Sequence, residues 1–143
     1  MSETADTLRI ALAETFAFYF KAHSFHWNVE GPNFPAYHTL FGQIYDDAHD
    51  AVDTLAEQIR TLDEFAPASV AEMMEGSKIV FSAVVEADGM VAQLTDDNDI
   101  VLSALNTAMA AAIKGGKAGV ANVLQDRITA HAKWGWMLRA TGA

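Results

Sequence analysis

Phe41, Tyr45, Ala48, Val52, Leu55, Ile59 and Leu62 follow one another at alternating steps of four and three residues. That spacing keeps every one of these side chains on a single seam of an α-helix, and an apolar seam this long has to be buried against other helices. The helix should run from about 34 to 63. Three further stretches read the same way. Leu8, Leu12, Tyr19 and His23, with Phe16 and Phe20 alongside, give a wide apolar face from about 4 to 29. Val91, Leu94, Val101, Leu105 and Ala112 mark a helix from about 87 to 114, and Val120, Leu124, Ile128, His131, Trp134 and Leu138 one from about 118 to 140. Nowhere does the period-two alternation of a β-strand appear.

Glycine and proline divide the chain at the same places. Gly31-Pro32 ends the first helix, Asp88 is placed to cap the third, and Gly115-Gly116 stops it. The connection from 64 to 86 is longer, and Ser69 followed by Glu72 forms a capping box for one short helix within it. The chain therefore reads as one domain over 1–143 of the all-α class, a ferritin-like four-helix bundle with a short extra helix in the crossover between helices two and three. A long link of this kind lets the middle pair run parallel. Lys114-Gly115-Gly116-Lys117 is a turn, because it follows a helix and lacks the Ser or Thr of a phosphate-binding loop. Met109-Ala110-Ala111-Ala112 is core packing, and His131 is a core residue.

Composition narrows the chemistry. The chain of 143 residues has no cysteine, so disulfides, thiolate zinc sites and cysteine nucleophiles are excluded, and any metal must be held by nitrogen and oxygen. Nineteen acids against nine bases give a net charge of −10, which repels a phosphate backbone, and neither end carries a basic run. Direct DNA binding is not expected. MSETADTLRI lacks a basic region followed by an apolar run, and no stretch has the length of a membrane span, so a cytoplasmic protein without a membrane partner is expected.

Four of the five histidines, and many of the acids, lie between His23 and Arg60. No Glu-x-x-His pair occurs, so a two-metal site inside one bundle lacks its usual ligands. Asp53 and Glu57 are four apart on one helical face and make a two-carboxylate half-site. His38 lies fifteen residues before Asp53, about 22 Å along a rigid helix, and cannot share a metal with it in the same chain. His26 is separated from His38 only by a turn and can reach it. Two copies packed antiparallel about a two-fold axis would bring each histidine half to the other copy's carboxylate half. Asp46, Asp50, Asp53 and Glu57 fall within about 60° of the helix surface, offset from the apolar seam and so placed to face a partner. Mixed imidazole and carboxylate ligation suits iron, or zinc in its place. Asp46, Asp50 and His49 are accessory candidates, whereas His23 reads as a packing or hydrogen-bonding residue.

His26-Trp27-Asn28, Gly31-Pro32-Asn33-Phe34, His38, and Asp53-Thr54-Leu55-Ala56-Glu57-Gln58-Ile59 together resemble the ferroxidase signature of the Dps mini-ferritins, the DNA-protection-during-starvation family. The resemblance is densest over about 20 to 65, and the helix lengths extend it to the whole chain. It implies a hollow dodecamer built from two-fold dimers, with inter-subunit sites that oxidise Fe(II) by hydrogen peroxide or oxygen and a cavity that stores Fe(III). It implies His26 and His38 as ligands from one subunit, Asp53 and Glu57 from its neighbour, and Trp27 as the aromatic beside the site, a place from which it could also quench radicals.

Two positions depart from the family pattern. Gly42 stands where the family has an aspartate one turn after the second histidine, so a second iron position is expected to be weak or differently ligated. The start of the fourth helix, with Lys114 and Lys117, lacks the acidic pore the family uses for iron access. Three readings follow: a mini-ferritin ferroxidase; a cage that binds iron or zinc but oxidises poorly because of Gly42; and a DNA-compacting structural protein, which the charge disfavours most.

Overall fold

The computed structural model describes residues 2–83 and 85–143. The described residues form four long helices and one short one: α1 (Glu3–Asn28), α2 (Phe34–Thr61), α3 (Val70–Met74), α4 (Ala87–Lys114) and α5 (Ala118–Gly142). The four long helices sit where the periodicity placed them, and α3 follows the Ser69–Glu72 capping box. α1 packs against α2 and α4, and α5 packs against α4 and, more lightly, α2. The crossover thus joins helices on opposite corners of a four-helix bundle, as a ferritin-like architecture requires.

The helix ends show how local chemistry sets length. α2 stops two residues before the expected 63, because Leu62 is its C-cap and Asp63 takes a left-handed backbone, φ 61. α3 has the expected box: Ser69 Oγ accepts from the Glu72 amide at 3.1 Å, while the Glu72 carboxylate answers the Ala68 amide at 3.2 Å. Asp88 is not a cap. α4 begins at Ala87 with Glu86 in the cap position and no side-chain capping bond, which puts Asp88 inside the first turn. There its charge still suits the helix N-terminus, and it accepts a hydrogen bond from the Tyr37 hydroxyl at 3.4 Å. Past α4, Gly116 supplies the left-handed turn, φ 69, that lets the Lys117 amide close back on the Ala112 carbonyl at 2.8 Å.

Phe18, Phe41, Leu8, Leu12, Ile44, Leu55, Ile59, Leu94, Leu105, Leu124 and Leu138 are fully buried and form the centre of the core. Each contributes on the order of 2 kcal/mol from area removed from water. Two charged residues of α1 also lie inside, and both hold the crossover. The buried Glu14 carboxylate accepts from the Ser77 hydroxyl and from the Lys78 amide at 3.1 Å. Seven residues on, buried Lys21 donates to the Val80 carbonyl at 2.8 Å and pairs with Asp97 of α4, also at 2.8 Å. A loop without much core of its own is thereby tied to two helices through charge-assisted bonds.

Candidate metal centre

The turn between α1 and α2 creates the histidine half. Gly31 adopts φ 121, a conformation that costs a side-chain-bearing residue dearly, and the chain reverses within a few residues so that α2 returns along α1. His26 and His38 then stack, with ring centroids 3.7 Å apart. Their hydrogen bonds are reciprocal. His26 Nδ1 donates to the His38 carbonyl at 2.7 Å, and His38 Nδ1 donates to the His26 carbonyl, also at 2.7 Å. A carbonyl can only accept, so both rings carry their proton on Nδ1 and present an Nε2 lone pair. This is the support that metal-ligating imidazoles ordinarily receive from the protein around them.

The carboxylate half lies along α2. Asp53 and Glu57 are both exposed. Their carboxyls are close enough to share a hydrogen bond, and that bond, with the charge of Asp53, raises the Glu57 carboxyl above its ordinary range. A pair of acids that competes for one proton is a pair that a cation can replace that proton on. Among the described residues no three His, Asp or Glu side chains are grouped so that they could hold a metal ion.

Around the histidines runs an aromatic ladder. His23 accepts from the Tyr19 hydroxyl at 3.0 Å, stacks on Tyr45 at 3.8 Å between centroids, and lies 4.1 Å from the Trp27 ring. Burial, then the nearby His26 and His49, lower its pKa and keep it neutral. This is the packing and hydrogen-bonding role its sequence position suggested. Trp27 rests against His23 and Phe20 and remains 58% exposed. His49 is exposed beside Tyr19, and Asp46 and Asp50 are exposed on the same side of α2.

A second polar group, in the bundle interior, escaped sequence reading. Arg127 makes a two-pronged pair with Asp47 at 2.9 and 2.8 Å, and the Trp134 ring nitrogen donates to the same carboxylate at 2.8 Å. Burial opposes the charge of Asp47, but the bonds from Arg127 and Trp134 outweigh it and hold the carboxyl below its usual range. Arg127 also donates to His131 Nε2 at 3.0 Å, while His131 Nδ1 donates to the Asn98 side-chain oxygen at 2.9 Å. Burial first, and Arg127 second, push the His131 pKa down to about 3. The available signal was Asp47, which sits about 100° round the helix from neighbouring Asp46 and so off the acidic stripe. With Arg127 and Lys21 inside, the interior carboxylates Asp47 and Asp97 already have protein cations, and the core is no place for a metal.

A family description, the ferritin-like domain, matches residues 5–141. The chain is 32% identical over 130 residues to the DNA protection during starvation protein of Brevibacillus brevis, covering 90% of this chain and 87% of the relative. It is 30% identical over 139 residues to DNA protection during starvation protein 2 of Bacillus anthracis, covering 96% and 95%. Dps from Staphylococcus aureus superposes with a TM-score of 0.92 at 28% identity, covering 98% of this chain and 95% of that one. The Dps protein of Vibrio cholerae, described as a member of a broad superfamily of ferritin-like diiron-carboxylate proteins, gives 0.90 at 28% identity, covering 96% and 87%. Fold and sequence together place the chain in the ferritin-like family, and within it the chain belongs to the Dps mini-ferritins. No helix among the described residues is long and apolar enough to cross a membrane.

Proposed function

We propose that the protein is a ferroxidase and iron store. Fe(II) is the substrate, bound between His26 and His38 of one subunit and Asp53 and Glu57 of another. Hydrogen peroxide or oxygen is the oxidant, and Fe(III) accumulates in the cavity of a homo-oligomeric shell, a dodecamer built from two-fold dimers. The observation that carries this reading is the pair of stacked histidines, each pinned through Nδ1 to the other's carbonyl, with a proton-sharing carboxylate pair beyond reach on the same helix. Neither half alone makes a metal site; together they supply two imidazoles and two carboxylates, a set suited to iron and able to take zinc.

With peroxide the electrons balance simply. Two Fe(II) ions each give one electron, the O–O bond breaks, and two protons complete two waters. Consuming both iron and peroxide would protect a cell from oxidative damage without contact with DNA, and a cytoplasmic setting suits that role. Phe20, Trp27 and Phe81, neighbouring aromatics that remain partly exposed near the histidine half, support a covering partner on this side. Asp46 and Asp50, with His49, would lie near the axis as accessory groups.

A second reading, a metal-binding cage with slow oxidation, is favoured by Gly42, which withholds a ligand. Stopped-flow oxidation of anaerobically added Fe(II) separates the two. Fast oxidation that His38→Ala or Glu57→Ala abolishes supports the ferroxidase; a parent rate no faster than iron in buffer supports the cage.

A further inference from the structure

Gly42 leaves the histidine half one donor short, and a side chain at 42 would crowd the ring it has to serve. A Cβ at this position would lie 3.1 Å from both Cε1 and Nδ1 of His26. That ring is itself held by the His38 carbonyl. Tyr45 Cε2 closes the far side at 4.0 Å. With glycine at 42, a donor for this corner of the site comes from outside the α1–α2 pair.

α2 carries such a donor on its outer face. His49, Asp53 and Glu57 stand at i, i+4 and i+8, within about 80° of the helix surface, and all three are exposed. The carboxylate half is therefore a stripe of three donors. Two-fold symmetry fixes what each of them meets, because antiparallel helices related by such an axis oppose residues whose numbers have a constant sum. The pairs 38·53 and 42·49 share one sum, and the pairs 38·57 and 42·53 share another. A register that seats His38 between Asp53 and Glu57 of a second copy thus seats Gly42, one turn on, between His49 and Asp53 of that copy. In the single chain the His49 ring lies beside Tyr19, 4.9 Å between centroids, and is free to turn outward.

We propose that His49 of the second copy supplies the donor Gly42 lacks, completing a second metal position that shares Asp53 with the one held by His26 and His38. The inference rests on the inter-subunit reading above. Exchanging a carboxylate for an imidazole keeps the number of donors but removes one negative charge. Imidazole suits Fe(II) and Zn(II), so the second position should retain divalent ions rather than bind the ferric product tightly.

Zinc titration of the assembled protein, followed by calorimetry and zinc X-ray absorption, tests this without turnover. The parent should show a tight and a weaker binding step. His49→Gln should lose the weaker step at least tenfold in affinity and show a smaller imidazole contribution, while the tight step stays. Gly42→Asp combined with His49→Gln should recover the weaker step without recovering the imidazole signal. A His49→Gln protein matching the parent in both steps, with His38→Ala still abolishing the tight step, overturns the role of His49 alone. Binding left intact by both His38→Ala and Glu57→Ala overturns the inter-subunit site beneath it.

Discussion

The same residue types meet opposite fates in two parts of this molecule. In the interior, Asp47, Asp97 and His131 are matched to Arg127, Lys21 and Asn98, and every charge has a protein partner. On the outer face of α1 and α2, His26 and His38 are oriented by each other's carbonyls, and Asp53 and Glu57 stand exposed with their carboxyls side by side. A buried carboxylate with neither a cation nor hydrogen-bond donors would cost several kcal/mol, so the core must supply one or the other, whereas a carboxylate near water can wait for a ligand. The comparison teaches that His and Asp can serve the fold in one region and stand open to a ligand in another, according to whether packing gives them a protein cation.

The largest expected effect breaks the interior half of that comparison with acid. His131 has its folded pKa lowered to about 3 from 6.5. Above pH 6.5 neither state holds the proton and nothing is lost. Below it the unfolded chain takes a proton that the folded chain refuses, so stability should fall between pH 6.5 and 3, on the order of 5 kcal/mol from this residue. Asp47, lowered rather than raised, stabilises the fold above the ordinary carboxylate range and gives that up only as pH drops further. His131→Gln, which keeps an acceptor for Arg127 but cannot titrate, should flatten the first part of the profile in urea titrations at stepped pH.

Next in size, Arg127→Met strands Asp47 in the core and should cost about 4 kcal/mol of stability by chemical denaturation. Iron oxidation by the fraction that folds should be retained, because Arg127 is no part of the metal centre. Glu57→Gln tests the other half: oxidation should slow about a hundredfold, near 2.7 kcal/mol of barrier. Its urea midpoint should move by no more than about 0.5 kcal/mol, as for an exposed residue. If stability and oxidation changed together in both variants, the division between the two regions would be wrong.

The smallest effect sharpens the comparison at its edge. Gly42→Ala brings a methyl to 3.1 Å from the His26 ring, which must give way by a few tenths of an ångström. Zinc affinity should drop about threefold, less than 1 kcal/mol, with no change in helix content. An unchanged affinity would mean that the stacked histidines have more play than their reciprocal bonds suggest.

Much of this was legible in the chain. The four-three seam of α2 and its counterparts located every long helix, and the Ser69–Glu72 box located α3, because helix periodicity and capping are local properties. Local spacing also separated His38 from Asp53, too far along one helix to share a ligand within a single chain. The start of α4 at 87 was read correctly but its cap was misplaced from Glu86 to Asp88, which has cap chemistry while Tyr37, distant in sequence, gives it another use. Glu14, Lys21 and Arg127 were not readable at all, and Asp47 offered only its place off the acidic stripe. Each looks like an intrusion on or beside an apolar face until its partner, 63 to 80 residues away for Glu14 and Asp47, comes into contact.

The sequence by itself determined the helices, the two half-sites and their separation, all of which follow from distances along a single rod. Only the tertiary structure decided that His26 and His38 fix each other's tautomer, that Gly42 makes room for an imidazole, and that Asp47 and Asp97 already face protein cations. Those outcomes depend on which side chains the packing brings within 3 Å, and no spacing along the chain contains that information.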